Sequence, residues 1–400
     1  MLEKDFVDKI IEAPDDENLW SVFADWLSDA GDTRGELILL DLDASNQGSS
    51  AAVQQRIEEI VERSQADWLG PGFAKVWSAC QRQVERGFFQ QDDLDQLLQY
   101  VWKRGFLSRV TINVPAWRGP SGLDILREVI QSPAARLLSD VAVGALEARD
   151  HTGGPSTCQE AITVLTSQSL PLKRLHLGAF DPSDQAKLAR WTVGELSSIL
   201  EAFPRLQDLH VQGVDAYFSE DAPAHQSLRK LRMETLDLAI EGLDPLIFGK
   251  FPSLESLALW CGNDGAGIGG MLMMLGQATP NLRELSLRNS ENTDQLVAGL
   301  THSPIAPGLE VLDLSVGNLS DLGAGALVDM ADNLGQLKML DLRDCELSPE
   351  AATAIQARFG PKVRLGGNQR QADGEWNEGD TRQRLMGGRH DLGPILRGRR

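Results

Sequence analysis

At 400 residues, 42% hydrophobic and 24% charged, the chain is long enough for a large core and too apolar to be disordered. It has no apolar run of about 18 residues and so no membrane span, its acidic N-terminus lacks the pattern of a secretion signal, and its scattered cysteines form no C-x-x-C pair, which excludes a zinc or disulfide framework and fits a reducing cytoplasm. The net charge of −20 is uneven: from residue 361 onward nine Lys and Arg stand against five Asp and Glu, so residues 1–360 carry −24, a body that repels nucleic acid and favours basic partners.

Residues 1–65 predict four helices. Phe6, Val7, Ile10 and Ile11 share one helical face, and Pro14 ends that helix. Asp15 or Asp16 can cap a second helix carrying Leu19, Trp20, Phe23, Trp26 and Leu27, which Gly31 terminates. A third runs from about Arg34 through Leu42, and a fourth follows the polar break at residues 45–50. The run Ala24-Asp25-Trp26-Leu27, then Gly31-Asp32, then Arg34-Gly35-Glu36, resembles the bacterial repeat-companion domain, a short helical module that precedes leucine-rich or other repeats. Phe23 stands where that family has tyrosine, and Thr33 where it commonly has proline. Arg104-Gly105-Phe106-Leu107 looks like the family's entry into its repeats. The resemblance implies an association with repeats and no chemistry. Asp25, Asp32, Arg34 and Glu36 could in principle form an acid–base cluster. The structural reading is preferred, with Asp32 capping the third helix and Arg34 pairing with Asp25 or Glu36.

Residues 66–105 predict a helical linker or cap. Val76, Trp77, Cys80 and Val84 mark one helix; Leu94, Leu97, Leu98, Val101 and Trp102 mark another. A polar-backed cap of this kind would cover the open edge of a repeat core.

Residues 106–368 carry the triplet L-x-x-L-x-L nine times in loose form. The clearest copies are Leu309/Leu312/Leu314 and, 28 residues later, Leu337/Leu340/Leu342 with Cys345 and Leu347 completing the pattern. The others are Leu107/Val110/Ile112, Leu138/Val141/Val143, Leu172/Leu175/Leu177, Leu206/Leu209/Val211, Met233/Leu236/Leu238, Leu254/Leu257/Leu259 and Leu282/Leu285/Leu287. Val363 and Leu365 begin a tenth strand. The pattern resembles ribonuclease-inhibitor-like leucine-rich repeats, which alternate a short strand with an α-helix. The fold class expected is therefore α/β, a leucine-rich repeat solenoid of nine to ten turns with an N-terminal α-helical cap domain. Asn368 falls on the family's asparagine-ladder position, which is otherwise occupied by Phe180, Val214, Glu241, Gly262, Ser290 and Gly317, with Asn318 one place off.

Residues between the buried leucines should face outward on the concave sheet surface, the usual binding face of a solenoid. They nominate His176, His210, Asp237, Trp260, Arg288, Asp313, Asp341 and Arg343 as partner-binding residues. His176 and His210 on neighbouring strands, with Asp237 next, have the elements of a metal site, but solvated polar residues are the preferred reading. Trp260 beside Arg288 has the makings of an interface hot spot. The glycine run from Gly262 to Gly270 lacks the ending of a phosphate loop and reads as a flexible turn.

Residues 369–400 read as a disordered basic tail, with six arginines from Arg382 to Arg400. Its expected roles are to fold against the acidic body and keep the last repeat soluble; weak contact with nucleic acid is the alternative. The function expected is a non-enzymatic, monomeric protein–protein interaction scaffold, without cofactor or metal, that binds a basic protein surface. The alternatives are a regulator of the GTPase-activating or ubiquitin-ligase-associated type, or an enzyme using the Asp25–Glu36 cluster.

Overall fold

A computed structural model describes residues 2–48, 50–114, 120–146, 157–179, 191–235, 238, 240–262 and 265–366. Phe180, Asp237, Asn368 and the basic tail lie outside the described residues. The chain divides into two compact units, Met1–Ala179 and Phe180–Arg400.

The first unit opens with helices α1 (Glu3–Glu12), α2 (Glu17–Asp29) and α3 (Arg34–Gln47). Phe6, Val7 and Ile10 of α1 pack on Trp20, Phe23 and Leu27 of α2 and on Ile38 and Leu42 of α3. Asp16 caps α2 by accepting the Leu19 N–H at 3.1 Å. Gly35 lets α2 and α3 meet: a Cβ there would lie 2.2 Å from Ser28 Oγ and 2.5 Å from the Ala24 carbonyl oxygen. Helix α4 (Ala51–Glu85) is broken at Gly70, whose φ is 82°, just before Pro71.

A predicted helix through Leu98, Val101 and Trp102 is not formed. Helix α5 (Gln91–Leu97) stops, and β1 (Leu98–Lys103) turns back on β2 (Phe106–Ile112) as an antiparallel hairpin. The two-residue loop Arg104-Gly105 has φ of 54° and 74°, the left-handed pair that suits the twist of a tight hairpin. Tyr100 and Trp102 point to one side, over α4: the Tyr100 hydroxyl meets Gln65 Oε1 at 2.9 Å and Trp102 meets the Trp68 ring edge-on at 5.3 Å. A period of two thus prevails over the helical spacing of the same residues.

From β2 onward pairing is parallel. Strands β3 (Asp140–Val143) and β4 (Arg174–Leu177) follow α6 (Gly122–Gln131) and α7 (Thr157–Thr166). Val110, Val141 and Leu175 are in register, as are Ile112, Val143 and Leu177, and all are at most 1% exposed. The first three sequence triplets therefore mark equivalent strands.

In the second unit, β5 (Thr192–Glu195) pairs parallel with β6 (Asp208–Tyr217), an added strand that no leucine triplet announces. After α8 (Ser197–Ala202), the main sheet runs β6, β7 (Lys230–Thr235), β8 (Ser256–Gly262), β9 (Glu284–Ser290), β10 (Val311–Asp313), β11 (Met339–Asp341) and β12 (Val363–Arg364), each parallel to the next. Helices α9 (Gly265–Leu272), α10 (Thr293–Thr301), α11 (Asp321–Asp329) and α12 (Pro349–Phe359) separate successive strands from β8 onward.

Two sequence expectations change here. The strand assigned to Met233/Leu236/Leu238 begins five residues earlier. Leu231 and Met233 align with Leu209 and Val211 on one side and with Leu257 and Leu259 on the other, so the working triplet is Leu228/Leu231/Met233. Both triplets satisfy the pattern and share Met233. The earlier one prevails because His225, 2% exposed, accepts the Leu228 N–H at 3.1 Å and faces the Phe203 carbonyl at 2.9 Å, which fixes where β7 starts. The glycine run is also no flexible turn, for Gly265–Gly270 lie within α9. A Cβ on Gly269 would meet the Gln295 carbonyl at 2.7 Å, so glycine there allows α9 and α10 to pack backbone to backbone.

Asn318, one place from the position singled out in the sequence, bridges two neighbouring turns. Its Oδ1 accepts the Thr293 N–H at 2.9 Å and its Nδ2 donates to the Glu291 carbonyl, which ties the turn after β10 to the one after β9.

Candidate functional site on the polar sheet face

Along each strand of the second unit the leucines are buried, and the alternate residues share the other face, some half-buried and some, such as Glu234, Asp313 and Asp341, buried. The register assembles those alternates into two rows across the sheet. One row runs His210, Arg232, Ala258, Ser286, Asp313, Asp341, Arg364. The other begins Gln212, Glu234, Trp260, Arg288; Ser315 extends it by accepting Arg288 Nε–H at 3.1 Å. The realigned β7 puts Arg232 where Asp237 was expected and adds Glu234, neither of which was nominated from the sequence. The signal that could have found them is the overlapping triplet from Leu228.

Three ionic centres organise these rows. At the first, Glu234 is 4% exposed and its Oε2 lies 2.7 Å from Gln212 Nε2 and 3.3 Å from His210 Nε2. Burial pushes its carboxyl up, but the hydrogen bond and charge of His210, the charge of Arg232 and the Gln212 donor outweigh it, leaving a value of about 2. At the second, Asp313 Oδ1 accepts the Ser315 N–H at 2.9 Å, and its Oδ2 lies 3.4 Å from Ser286 Oγ and 3.8 Å from Arg288 Nε. At the third, Asp341 is fully buried under a two-pronged contact from Arg343, at 2.9 and 2.6 Å, and accepts the Arg343 N–H at 3.2 Å. The guanidinium's own hydrogen bond to Asp341, chiefly, holds Arg343 above its ordinary value.

Asp313 and Asp341, expected among the outward-facing partner-binding residues, are buried instead. Each carboxylate folds back on the N–H two residues ahead, which ends β10 and β11 after three residues, and its remaining oxygen serves neighbouring donors. Trp260 stays half-buried in β8 with Arg288 alongside in β9. Of the proposed metal ligands, His176 lies opposite Ala142 in the first unit, His210 faces Glu234 in the second, and Asp237 is outside the described residues. Among the described residues no three His, Cys, Asp or Glu side chains form a metal-sized cluster.

The N-terminal charges are not gathered into one site. Asp25 is exposed, and Glu36 pairs with Arg56 at 2.7 Å on the surface. Asp32 does cap α3, accepting the Arg34 N–H at 2.9 Å. The Arg34 side chain, predicted to seek Asp25 or Glu36, instead grips Asp32 at 2.6 Å and Glu3 at 3.1 Å, with its guanidinium 4.7 Å above the Phe106 ring. A Cβ on Gly105 would lie 2.5 Å from the Arg34 side chain. Arg104 stacks 4.7 Å from the Trp20 ring and pairs with Asp41 at 2.9 Å. The two motifs noticed separately in the sequence, around Arg34 and around Arg104, are thus two sides of one packing contact.

The fold and this face define a repeat-like α/β protein with a mostly parallel sheet. Among the described residues no helix is long and apolar enough to cross a membrane. No family model matches the sequence. No curated protein matches it either. Among solved structures, a Bacteroides fragilis protein determined by a structural genomics consortium superposes with a TM-score of 0.50 at 22% identity, covering 61% of this chain and 70% of that one. At that identity the likeness concerns the fold alone.

Proposed function

We propose that this chain is a ribonuclease-inhibitor-like leucine-rich repeat solenoid and a non-enzymatic protein–protein interaction scaffold that binds its partner on the concave sheet face. In this reading residues 1–65 form a repeat-companion domain, 66–105 a linker and cap, 106–368 the repeats and 369–400 a basic tail. The protein works as a monomer in a reducing cytoplasm. The observation that carries the reading is the double row of mostly polar side chains across β6–β11, half-buried apart from the buried Glu234, Asp313, Ser315 and Asp341, with Trp260 among them. Rows of this kind present many donors and acceptors on a rigid frame, and an aromatic residue among them is the residue type most often found as a binding hot spot. The partner's approach is favoured by a basic surface, since residues 1–360 carry −24.

The test is affinity capture from the cell that makes the protein, with wild type compared against Trp260→Ala. The variant should lose the main captured protein while its circular dichroism and melting temperature stay near wild type. An unchanged set of captured proteins with a folded variant would overturn the assignment of this face.

A further inference from the structure

We infer that Arg232, Trp260 and Arg288 form a carboxylate-binding subsite on this face, which takes an Asp or Glu side chain of the partner. The inference rests on the interaction reading above and names the chemistry of one contact within it.

Arg232 on β7 is in register with Ala258 on β8 and Ser286 on β9, and Trp260 is in register with Arg288 one step along. The Arg232 side chain is only 13% exposed, yet among the described residues it makes no hydrogen bond; its nearest carboxylate oxygen there, on Glu234, is 3.8 Å away. Glu234 directs its other oxygen to Gln212 and His210. Arg288, 12% exposed, uses its Nε on Ser315 Oγ at 3.1 Å and stands 3.8 Å from Asp313, and among the described residues its terminal nitrogens make no hydrogen bond. Among the described residues the Trp260 indole N–H likewise makes no hydrogen bond. Both guanidiniums and the indole are only half-buried, on neighbouring strands of one face, so their spare donors can be reached by a ligand from solvent.

Electrostatics favours an anion here. Burial lowers the affinity of Arg232 for its proton, Glu234 and Asp208 raise it, and the charge of Arg288 lowers it again, so the two guanidiniums sense each other. An anion between them relieves that repulsion. The planar fork of a guanidinium fits a carboxylate edge-on, and the indole face covers the methylene groups behind it. A singly charged carboxylate suits the site better than a phosphate dianion, since Asp208, Glu234 and Asp313 all lie close by. A partner that is basic overall can supply one such acidic anchor.

The probe is N-acetylglutamate N-methylamide, titrated into the isotope-labelled full-length chain while the indole N–H resonance of Trp260, assigned by its loss in Trp260→Phe, is followed. N-acetylglutamine N-methylamide is the neutral control, and N-acetylphosphoserine N-methylamide tests a phosphate source. The glutamate probe should shift the resonance saturably and the glutamine probe should not; Arg232→Gln and Arg288→Gln should each weaken binding about tenfold, as for loss of one charge-assisted contact. The comparison of probes on the unaltered chain holds even if a variant fails to fold. Equal shifts from glutamate and glutamine, or no saturable shift, would overturn the subsite, and tighter binding of the phosphoserine probe would replace carboxylate by phosphate. If capture depends on Trp260 but the glutamate probe is silent, the subsite fails and the interaction reading stands. If the probe binds and capture is indifferent to Trp260, the reverse holds.

Discussion

His225 shows how much one buried side chain can decide. With Nδ1 accepting the Leu228 N–H and Nε2 left to donate to the Phe203 carbonyl, the ring is held neutral in one tautomer. Burial lowers its pKa below the ordinary 6.5, against a smaller opposing pull from the Phe203 carbonyl. The folded value lies below the unfolded one, so the stability His225 contributes is complete above about pH 6.5 and declines as the pH falls through the folded value. Urea midpoints measured across this range should drop on acidification. His225→Gln should lose roughly 1–3 kcal/mol near neutral pH, because it strands buried backbone groups, and should show a shallower decline below it. An identical pH slope in wild type and variant would contradict this account. A histidine in this position looks like any other polar residue in the sequence, and its role depends on Phe203 and Lys250 reaching it from distant parts of the chain.

At the scale of elements, the packing of α9 on α10 turns on two glycines. A Cβ on Gly299 would lie only 2.1 Å from the Gly269 carbonyl oxygen, a backbone atom with no room to yield. Gly299→Ala should therefore destabilise the protein by roughly 1–3 kcal/mol in urea titration, the usual cost of overpacking. Gly325 in α11 has nothing within 4 Å of its ideal Cβ. Gly325→Ala should stabilise by roughly 0.5–1 kcal/mol, because alanine restricts the unfolded chain and favours helix. Equal effects from the two substitutions would show that helix propensity and not close approach governs these positions. The same contrast explains the strand β1, where helical spacing of Leu94, Leu97, Leu98, Val101 and Trp102 gave way to a hairpin. The local pattern permitted either, and the Arg104-Gly105 turn together with a place for Tyr100 and Trp102 over α4 selected the strand.

At the scale of the whole molecule, Cys80, Cys158, Cys261 and Cys345 are all buried and none is in a disulfide. Burial pushes Cys80 and Cys345 up to about 12 and raises Cys261 further still. The thiolate is the reactive form, so the native protein should resist a thiol-specific reagent at neutral pH and expose all four cysteines in denaturant. Rapid labelling of even one in the folded state would mean that its surroundings open readily. The charge of the body acts at this scale too. Capture of a basic partner should weaken with salt as the long-range attraction is screened, whereas the short-range contact at Arg232 and Arg288 is screened much less.

The sequence by itself determined the periodic parts: the leucines that alternate into the core, the early helices and the small motifs around Arg34 and Arg104, because hydrophobic spacing and turn chemistry act within a few residues. Only the tertiary structure decided which of two overlapping triplets forms β7, that the glycine run is helical, and that Asp313 and Asp341 are enclosed by arginines. It also brought Arg232 and Arg288 to either side of Trp260. Apart from the local grip of Arg343 on Asp341, each of those outcomes depends on groups some 20 or more residues apart meeting across strands or helices, and parallel pairing fixes that register from strand to strand, which no local pattern contains.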